Sequence, residues 1–73
     1  MKNYEGGRFN VTSADGLFIG RIDGDEFIRD HQARLIYRID GTEVYNMDGS
    51  LLGLLSSGEL RVQGEIFFRI TEE

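Results

Sequence analysis

The sequence RIDG occurs twice in this chain, as Arg21-Ile22-Asp23-Gly24 and as Arg38-Ile39-Asp40-Gly41, seventeen residues apart. Extending outward from this motif reveals four similar segments: FIGRI at 18–22, LIYRI at 35–39, LLGLL at 51–55 and IFFRI at 66–70. A second short segment precedes each of them: RFNV at 8–11, EFIR at 26–29, EVYN at 43–46 and ELRV at 59–62. The chain is therefore built from a repeated unit of about sixteen residues.

The residues between the segments favour strands over helices. Glycine follows a polar residue at Asp15-Gly16, Asp23-Gly24, Asp40-Gly41, Asp48-Gly49, Ser57-Gly58 and Gln63-Gly64. Glycine permits the positive φ that tight hairpins require. The second unit has DHQAR at 30–34 instead, so we expect a longer or differently shaped loop there. The pattern predicts an all-β fold of four antiparallel β-hairpin repeats around a pseudo-four-fold axis.

Length and composition limit the domain count and the classes of partner. The 73 residues predict a single β-hairpin-repeat domain over 1–73, with repeats at about 7–23, 24–40, 41–57 and 58–71. Cysteine is absent, which excludes disulfides and thiolate metal sites. The formal charge of −5 repels phosphates, so we expect neither nucleic acid nor a membrane as a partner. If the chain is a complete native protein, the lack of an apolar leader predicts a cytoplasmic location; otherwise the location stays open.

Alternate residues of the second segment in each repeat are predicted to face the core. These residues are Phe18, Gly20, Ile22, Leu35, Tyr37, Ile39, Leu51, Gly53, Leu55, Ile66, Phe68 and Ile70. One column of this face alternates between small and large residues, in the order Gly20, Tyr37, Gly53, Phe68. Two aromatic rings and two glycines are therefore expected to fill the axis. The first segments are expected to add an apolar column of Phe9, Phe27, Val44 and Leu60.

The opposite face carries a repeated pair of an apolar residue and arginine, with Leu54 as the exception. Its residues are Ile19, Arg21, Ile36, Arg38, Leu52, Leu54, Phe67 and Arg69. Apolar side chains beside arginine are typical of protein interfaces, so we treat this set as a candidate interface. The alternative is that the first segments fold across this face and bury it within one chain. Tyr4, Ile28 and Tyr45 are further candidates for the same layer.

The stretch GRIDGDEFIRDHQARLIYRIDGTEVYNMDGSLLGLL, residues 20–55, resembles bacterial β-flower repeat domains. In that group a phrase of the form G-x-I-x-D-x-x-G-x-x-h-G-x-I recurs, where h is aliphatic. The resemblance covers roughly residues 8–70. It implies four β-hairpins arranged like petals around an axis, a four-fold relative of the five-fold β-flower proteins. The group has no assigned function, so the resemblance implies no catalytic or ligand residues.

Residues with catalytic or metal-binding chemistry are sparse in the sequence. His31, the only histidine, lies beside Asp30 in the atypical loop, and no nucleophile accompanies the pair in a recognisable motif. Glu26, Glu43 and Glu59 recur at one repeat position, either as a solvated rim or as a cation site. The spacing of an EF-hand loop is absent around Asp48. We therefore predict no catalytic residues, no cofactor and no metal.

These observations predict a non-enzymatic structural or protein-interaction module. Its expected partner is another protein or a second copy of the chain, as in a homodimer. The alternative is a module that binds a small ligand or a carbohydrate through aromatic residues near the axis. The candidate ligand-facing residues for that alternative are Tyr37, Tyr45 and Phe68.

Overall fold

The computed structural model describes residues 6–73, which form a barrel of β-strands. The strands are β1 (Arg8–Ser13), β2 (Phe18–Asp23), β3 (Phe27–Arg29), β4 (Leu35–Asp40), β5 (Glu43–Asn46), β6 (Leu51–Ser56), β7 (Glu59–Val62) and β8 (Glu65–Glu72). Each strand pairs antiparallel with the next, and β1 pairs with β8 to close the sheet. The predicted all-β fold with eight antiparallel strands is confirmed. Closure leaves no open sheet edge among these strands.

The connections divide the barrel into two ends of different character. The loops 14–16, 31–33, 47–49 and 63–64 lie at one end, which we call the hairpin-tip end. The turns 24–26, 41–42 and 57–58 lie at the other, which we call the turn end. The first and last strands also meet at the turn end, where the Glu73 N–H donates to the Arg8 carbonyl oxygen at 3.2 Å.

The second strand of each hairpin contains a β-bulge near the hairpin-tip end. In β2, Gly20 pairs with Val11 and Phe18 pairs with Thr12, so Ile19 is extra in the ladder. The corresponding extra residues are Ile36 in β4, Leu52 in β6 and Phe67 in β8. A bulged residue interrupts the alternation of side chains along its strand. Residues on the tip side of each bulge therefore change face.

The predicted inward face is wrong at the residues before the bulges. Phe18, Leu35 and Leu51 are 53%, 39% and 54% exposed. The pairing of Phe18 explains this exposure, because its partner Thr12 follows the buried Val11 and so points outward. One extra residue per strand is enough to move these side chains from the core to the surface.

The bulges also turn three residues of the predicted outer face toward the interior. Ile19, Ile36 and Leu52 are half-buried and pack against the core. They do not share a surface with the arginines that follow them in sequence. The prediction of one outer face of apolar residues and arginine is therefore wrong. The alternative required the first segments to fold across these residues, and they do not. The bulges, which shift the pairing of the strands, bury these residues instead.

The core fills the barrel interior with apolar side chains. Its buried members are Phe9, Val11, Ile22, Ile28, Ile39, Val44, Leu55, Leu60, Phe68 and Ile70. The column contributed by the first strands is Val11, Ile28, Val44 and Leu60, each 0% exposed. The predicted column was wrong at Phe27, which is only half-buried, and the placement of Ile28 in an outer layer was also wrong. Tyr4 lies outside the described residues.

The two aromatic rings of the predicted alternating column meet inside the barrel, whereas its glycines lie against the backbone of the next strand. The ring centroids of Tyr37 and Phe68 lie 5.8 Å apart, although β4 and β8 are on opposite sides of the barrel. A Cβ atom at Gly53 would lie 2.5 Å from the Arg61 carbonyl oxygen, and one at Gly20 would clash with the Arg29 carbonyl oxygen. The close backbone of the next strand, rather than an aromatic ring, therefore requires glycine at both positions.

The loop of the second repeat has the same length and shape as the loops of the first and third repeats, contrary to the sequence expectation. The Asp30 N–H donates to the Arg34 carbonyl, and the Ala33 N–H donates to the Asp30 carbonyl, both at 2.9 Å. The loops at 14–16 and 47–49 have the same hydrogen bonds. Ala33 adopts a φ of 65°, where Gly16 has 87°. Alanine thus occupies a left-handed position that glycine fills elsewhere.

Replacing Ala33 by glycine is expected to stabilise the protein. A left-handed φ costs an L-residue roughly 1–2 kcal/mol, part of which the greater freedom of glycine in the unfolded chain offsets. We expect the free energy of unfolding of Ala33→Gly to rise by about 0.5–1 kcal/mol, measured by urea titration. The matched changes Gly16→Ala and Gly49→Ala should each lower it by about 1 kcal/mol. A less stable Ala33→Gly protein would contradict the assigned loop geometry.

Candidate interaction surface

The exposed apolar side chains of residues 6–73 gather at the hairpin-tip end. Six large hydrophobic residues there form what we call the apolar tip surface: Leu17, Phe18, Leu35, Met47, Leu51 and Phe67. Their exposed fractions range from 39% to 69%. Leu54, the remaining exposed large hydrophobic residue of the described chain, lies on the side wall of the barrel.

The bulges and the loops expose these residues for different reasons. Phe18, Leu35 and Leu51 follow hairpin loops and point outward because the bulges shift their register. Met47 belongs to the loop 47–49, and Leu17 lies between the loop 14–16 and β2, where neighbouring strands give no cover. Most of the surface follows an arc from β2 through β4 to β6. Exposed apolar side chains that gather at one end of a domain are a candidate binding surface.

Phe67 completes the surface over the aromatic centre of the barrel. Phe67 is 41% exposed, and its ring meets the Tyr37 ring edge-on, with centroids 6.3 Å apart. It also lies 5.9 Å from the Phe68 ring, which is fully buried. Of the candidate ligand-facing residues, Tyr37 and Phe68 therefore meet, but Phe68 offers no surface to a ligand.

Tyr45, the third candidate ligand-facing residue, lies outside the barrel wall. The Arg38 guanidinium is 6.0 Å from its ring centroid, and its hydroxyl donates to Glu43 Oε1 at 2.7 Å. This hydrogen bond to a carboxylate raises the pKa of Tyr45 above its usual range. Arg38 also donates to Glu26 Oε2 at 2.6 Å, which raises the pKa of Arg38. Tyr45 thus belongs to a polar network of the side wall and does not join Tyr37.

The other arginines of the candidate interface also pair with carboxylates on the side wall. Arg21 lies 3.6 Å from Asp23, and Arg69 lies 3.3 Å from Glu59. The Arg69 guanidinium also donates to the Ala14 carbonyl at 3.1 Å. The structure therefore separates the predicted interface residues into paired arginines on the wall and apolar residues near the hairpin-tip end. Phe67 belongs to the apolar tip surface, and Leu54 does not.

The Asp30 side chain, next to His31, forms its hydrogen bonds within its own loop. Asp30 Oδ1 accepts hydrogen bonds from the N–H groups of Arg34 at 3.0 Å and Gln32 at 2.9 Å. Asp30 Oδ2 accepts one from Arg34 Nε at 3.0 Å. These interactions, with the Arg34 N–H first, lower the pKa of Asp30. Asp30 thus stabilises the loop, and His31 lies beside it as an exposed residue.

The three glutamates at the shared repeat position each contact a different neighbour. Glu26 forms an ion pair with Arg38, and Glu59 forms one with Arg61 at 2.9 Å. Glu43 accepts a hydrogen bond from the Tyr45 hydroxyl. Within the part of the chain that the structure describes, no three or more histidine or acidic side chains come close enough to hold a metal ion. The glutamates therefore do not converge.

Sequence reasoning missed the apolar tip surface because it depends on pairing register. Phe18, Leu35 and Leu51 follow the alternation that predicts burial. A recurring extra apolar residue at positions 19, 36, 52 and 67 is the signal that could have indicated a bulge. Apolar residues at both adjacent positions leave the alternation ambiguous.

Comparisons of the chain with protein-family models, with curated proteins and with solved structures found no match. The resemblance to β-flower repeat domains consequently stays an interpretation of the sequence. Residues 6–73 include no helix with the length and apolar character needed to cross a membrane.

Proposed function

We propose that this chain is a non-enzymatic protein-interaction module that binds through the apolar tip surface. The observation that carries the proposal is the asymmetry of exposure. Six large hydrophobic residues are exposed at the hairpin-tip end, whereas the turn end is formed by Gly, Ser, Thr, Asp and Glu. Leaving such side chains in water forgoes roughly 1.5–3 kcal/mol for each one that a partner could bury fully.

A four-petal architecture related to β-flower domains is part of the same proposal. The register shifts follow Val11, Ile28, Val44 and Leu60, at intervals close to the sequence repeat. Three of the four hairpin loops share one hydrogen-bond pattern. Equivalent bulges in each hairpin support four similar units around one axis. Such units would place equivalent apolar residues at one end of the barrel.

The non-enzymatic part of the proposal is supported by the chemistry of the side chains near the apolar tip surface. Asp30 is engaged by Arg34, and Asp48 accepts hydrogen bonds from the Ser50 N–H and hydroxyl at 2.9 and 2.7 Å. The Ser50 hydroxyl is the main cause of the lowered pKa of Asp48, which favours its ionised form. A carboxylate held in this way is a poor general acid near neutral pH.

Photo-crosslinking at two matched leucines tests the proposal. Leu51 and Leu54 lie on the same strand and are each 54% exposed, but only Leu51 belongs to the apolar tip surface. Each is replaced by p-benzoylphenylalanine in cells that naturally produce the protein, and adducts are identified by mass spectrometry. We expect a discrete protein adduct from position 51 and none from position 54.

Adducts of equal yield from both positions, or an adduct from position 54 alone, would contradict the proposal. Thermal unfolding of both purified variants tests whether either change disturbs the barrel. Because both side chains are more than half exposed, we expect their unfolding midpoints to stay close to wild type.

A further inference from the structure

Charge at the hairpin-tip end is not neutralised within the described chain. Asp15, Asp48 and Glu65 lie in or beside the hairpin loops, and no arginine of residues 6–73 forms an ion pair with them. The seven arginines of these residues pair instead with Asp23, Asp25, Glu26, Asp30, Asp40 and Glu59. Arg69 reaches loop 14–16 at the Ala14 carbonyl, but its ion pair is with Glu59. Among the described residues, the three unpaired carboxylates therefore give the rim of the apolar tip surface an excess of negative charge.

The carboxylates and the exposed apolar residues occur together on opposite loops. Asp15 precedes Leu17 and Phe18, and Asp48 lies between Met47 and Leu51. The loops that carry them, 14–16 and 47–49, connect β1 to β2 and β5 to β6, across the barrel from each other. A ligand that covers this end would meet apolar side chains with a carboxylate next to them on both sides.

We infer that the apolar tip surface binds a polypeptide segment in which large apolar residues are flanked by lysine or arginine. This inference rests on the proposed function and names the chemistry of the partner. Basic side chains would pair with Asp15 and Asp48, while the apolar ones cover Phe18 and Leu51. Complementary charge also accelerates association, more strongly at low salt.

A second copy of the chain fits this surface less well. It would bring the same carboxylates against each other, and each copy carries a formal charge of −5. Like charges that face each other across an interface oppose association. Nucleic acid and anionic lipid are repelled for the same reason.

Three synthetic peptides test the inference with the purified protein. The first alternates leucine and phenylalanine with lysine and arginine; the second replaces every basic residue with glutamate; the third replaces every apolar residue with serine. Binding is followed by fluorescence anisotropy of the labelled peptides and by amide chemical shifts of ¹⁵N-labelled protein. We expect only the first peptide to bind well, and to shift the amides of loops 14–16 and 47–49.

A matched pair of double variants separates a local effect from net charge. Asp15→Asn with Asp48→Asn removes two charges at the hairpin-tip end, whereas Glu72→Gln with Glu73→Gln removes two at the C-terminus, at the turn end. We expect the Asp15→Asn, Asp48→Asn double variant to bind the basic apolar peptide about five-fold more weakly at low salt. We expect the C-terminal double variant to bind it almost as well as wild type. Added salt should reduce the difference in peptide affinity between the two double variants.

Three outcomes would overturn the inference. Equal binding of the acidic peptide would exclude charge complementarity, and equal weakening by both double variants would indicate net charge alone. A homodimer in sedimentation equilibrium that Leu51→Ser abolishes would identify a second copy as the occupant and leave the proposed function standing. A wrong proposed function would be recognised in a different experiment, because the photo-crosslinking yields from positions 51 and 54 would then be equal.

Discussion

Gly53→Phe is expected to prevent the protein from folding stably at 25 °C. A Cβ atom at this position would lie 2.5 Å from the Arg61 carbonyl oxygen and 3.1 Å from Leu60 Cδ1. The carbonyl belongs to the backbone of β7, so it cannot move aside without disturbing the barrel. Overpacking of a core typically costs 1–3 kcal/mol, and a whole aromatic ring against backbone should exceed about 3 kcal/mol. Urea unfolding followed by circular dichroism measures the loss.

Smaller substitutions test whether steric overlap at Gly53, and not its backbone conformation, causes the loss of stability. Gly53→Ala should lower the free energy of unfolding by about 1–3 kcal/mol, because its Cβ alone meets the carbonyl. Gly49→Ala should cost about 1 kcal/mol for its φ of 93°, although open space surrounds that position. Phe68→Leu should not rescue Gly53→Ala. Rescue, or a Gly53→Phe protein as stable as wild type, would refute the close approach of β6 and β7.

Phe68→Ala is expected to unfold most of the protein. Phe68 is 0% exposed, and its ring packs against Tyr37 from the opposite side of the barrel. Replacing a buried phenylalanine by alanine costs about 3–5 kcal/mol, comparable with the whole stability of a domain this small. Loss of the cooperative thermal transition in circular dichroism would demonstrate the effect.

The neighbouring phenylalanine provides the matched control for this change. Phe67→Ala removes the same side chain one residue earlier, where it is 41% exposed and at the bulge. We expect it to cost less than half as much as Phe68→Ala, and to leave a cooperative transition. If the two variants lose equal stability, the assignment of inside and outside on β8 is incorrect.

The repeat, the strands and their antiparallel order could be predicted from the sequence because their signals are local. A glycine with positive φ, such as Gly16 or Gly49, ends one strand and begins the next within a few residues. Ile22 and Ile39, the shared isoleucines of the two RIDG motifs, are buried as the alternation predicts. The meeting of Tyr37 and Phe68 was also predictable, since large and small residues must alternate around a narrow axis.

The apolar tip surface could not be predicted because a bulge is a property of two strands at once. Leu51 and Leu52 are the same residue type in consecutive positions, so nothing in β6 alone decides which of them points outward. The pairing of β5 with β6 decides it, by placing Leu51 opposite Tyr45 and leaving Leu52 extra. Long-range pairing of this kind is not recorded in the alternation of a single strand.

The loop at 31–33 shows a different limit of sequence reasoning. The absence of glycine predicts an altered loop, yet Ala33 adopts the left-handed conformation and the hydrogen bonds are those of the loops 14–16 and 47–49. The Asp30 carboxylate accepts from two backbone N–H groups and from Arg34, which stabilises the same geometry without glycine. A local preference is thus outweighed by side-chain hydrogen bonds and by the pairing of β3 with β4.

Cross-strand nuclear Overhauser effects between β5 and β6 are the sharpest test of the bulge that exposes Leu51. The exposed apolar end, and the function proposed for it, depend on the bulge in this hairpin and its counterparts. The bulged register predicts contacts that place Val44 opposite Gly53 and Tyr45 opposite Leu51, with Leu52 outside the ladder. A regular ladder that places Tyr45 opposite Leu52 would contradict it, because Leu51 would then point into the barrel.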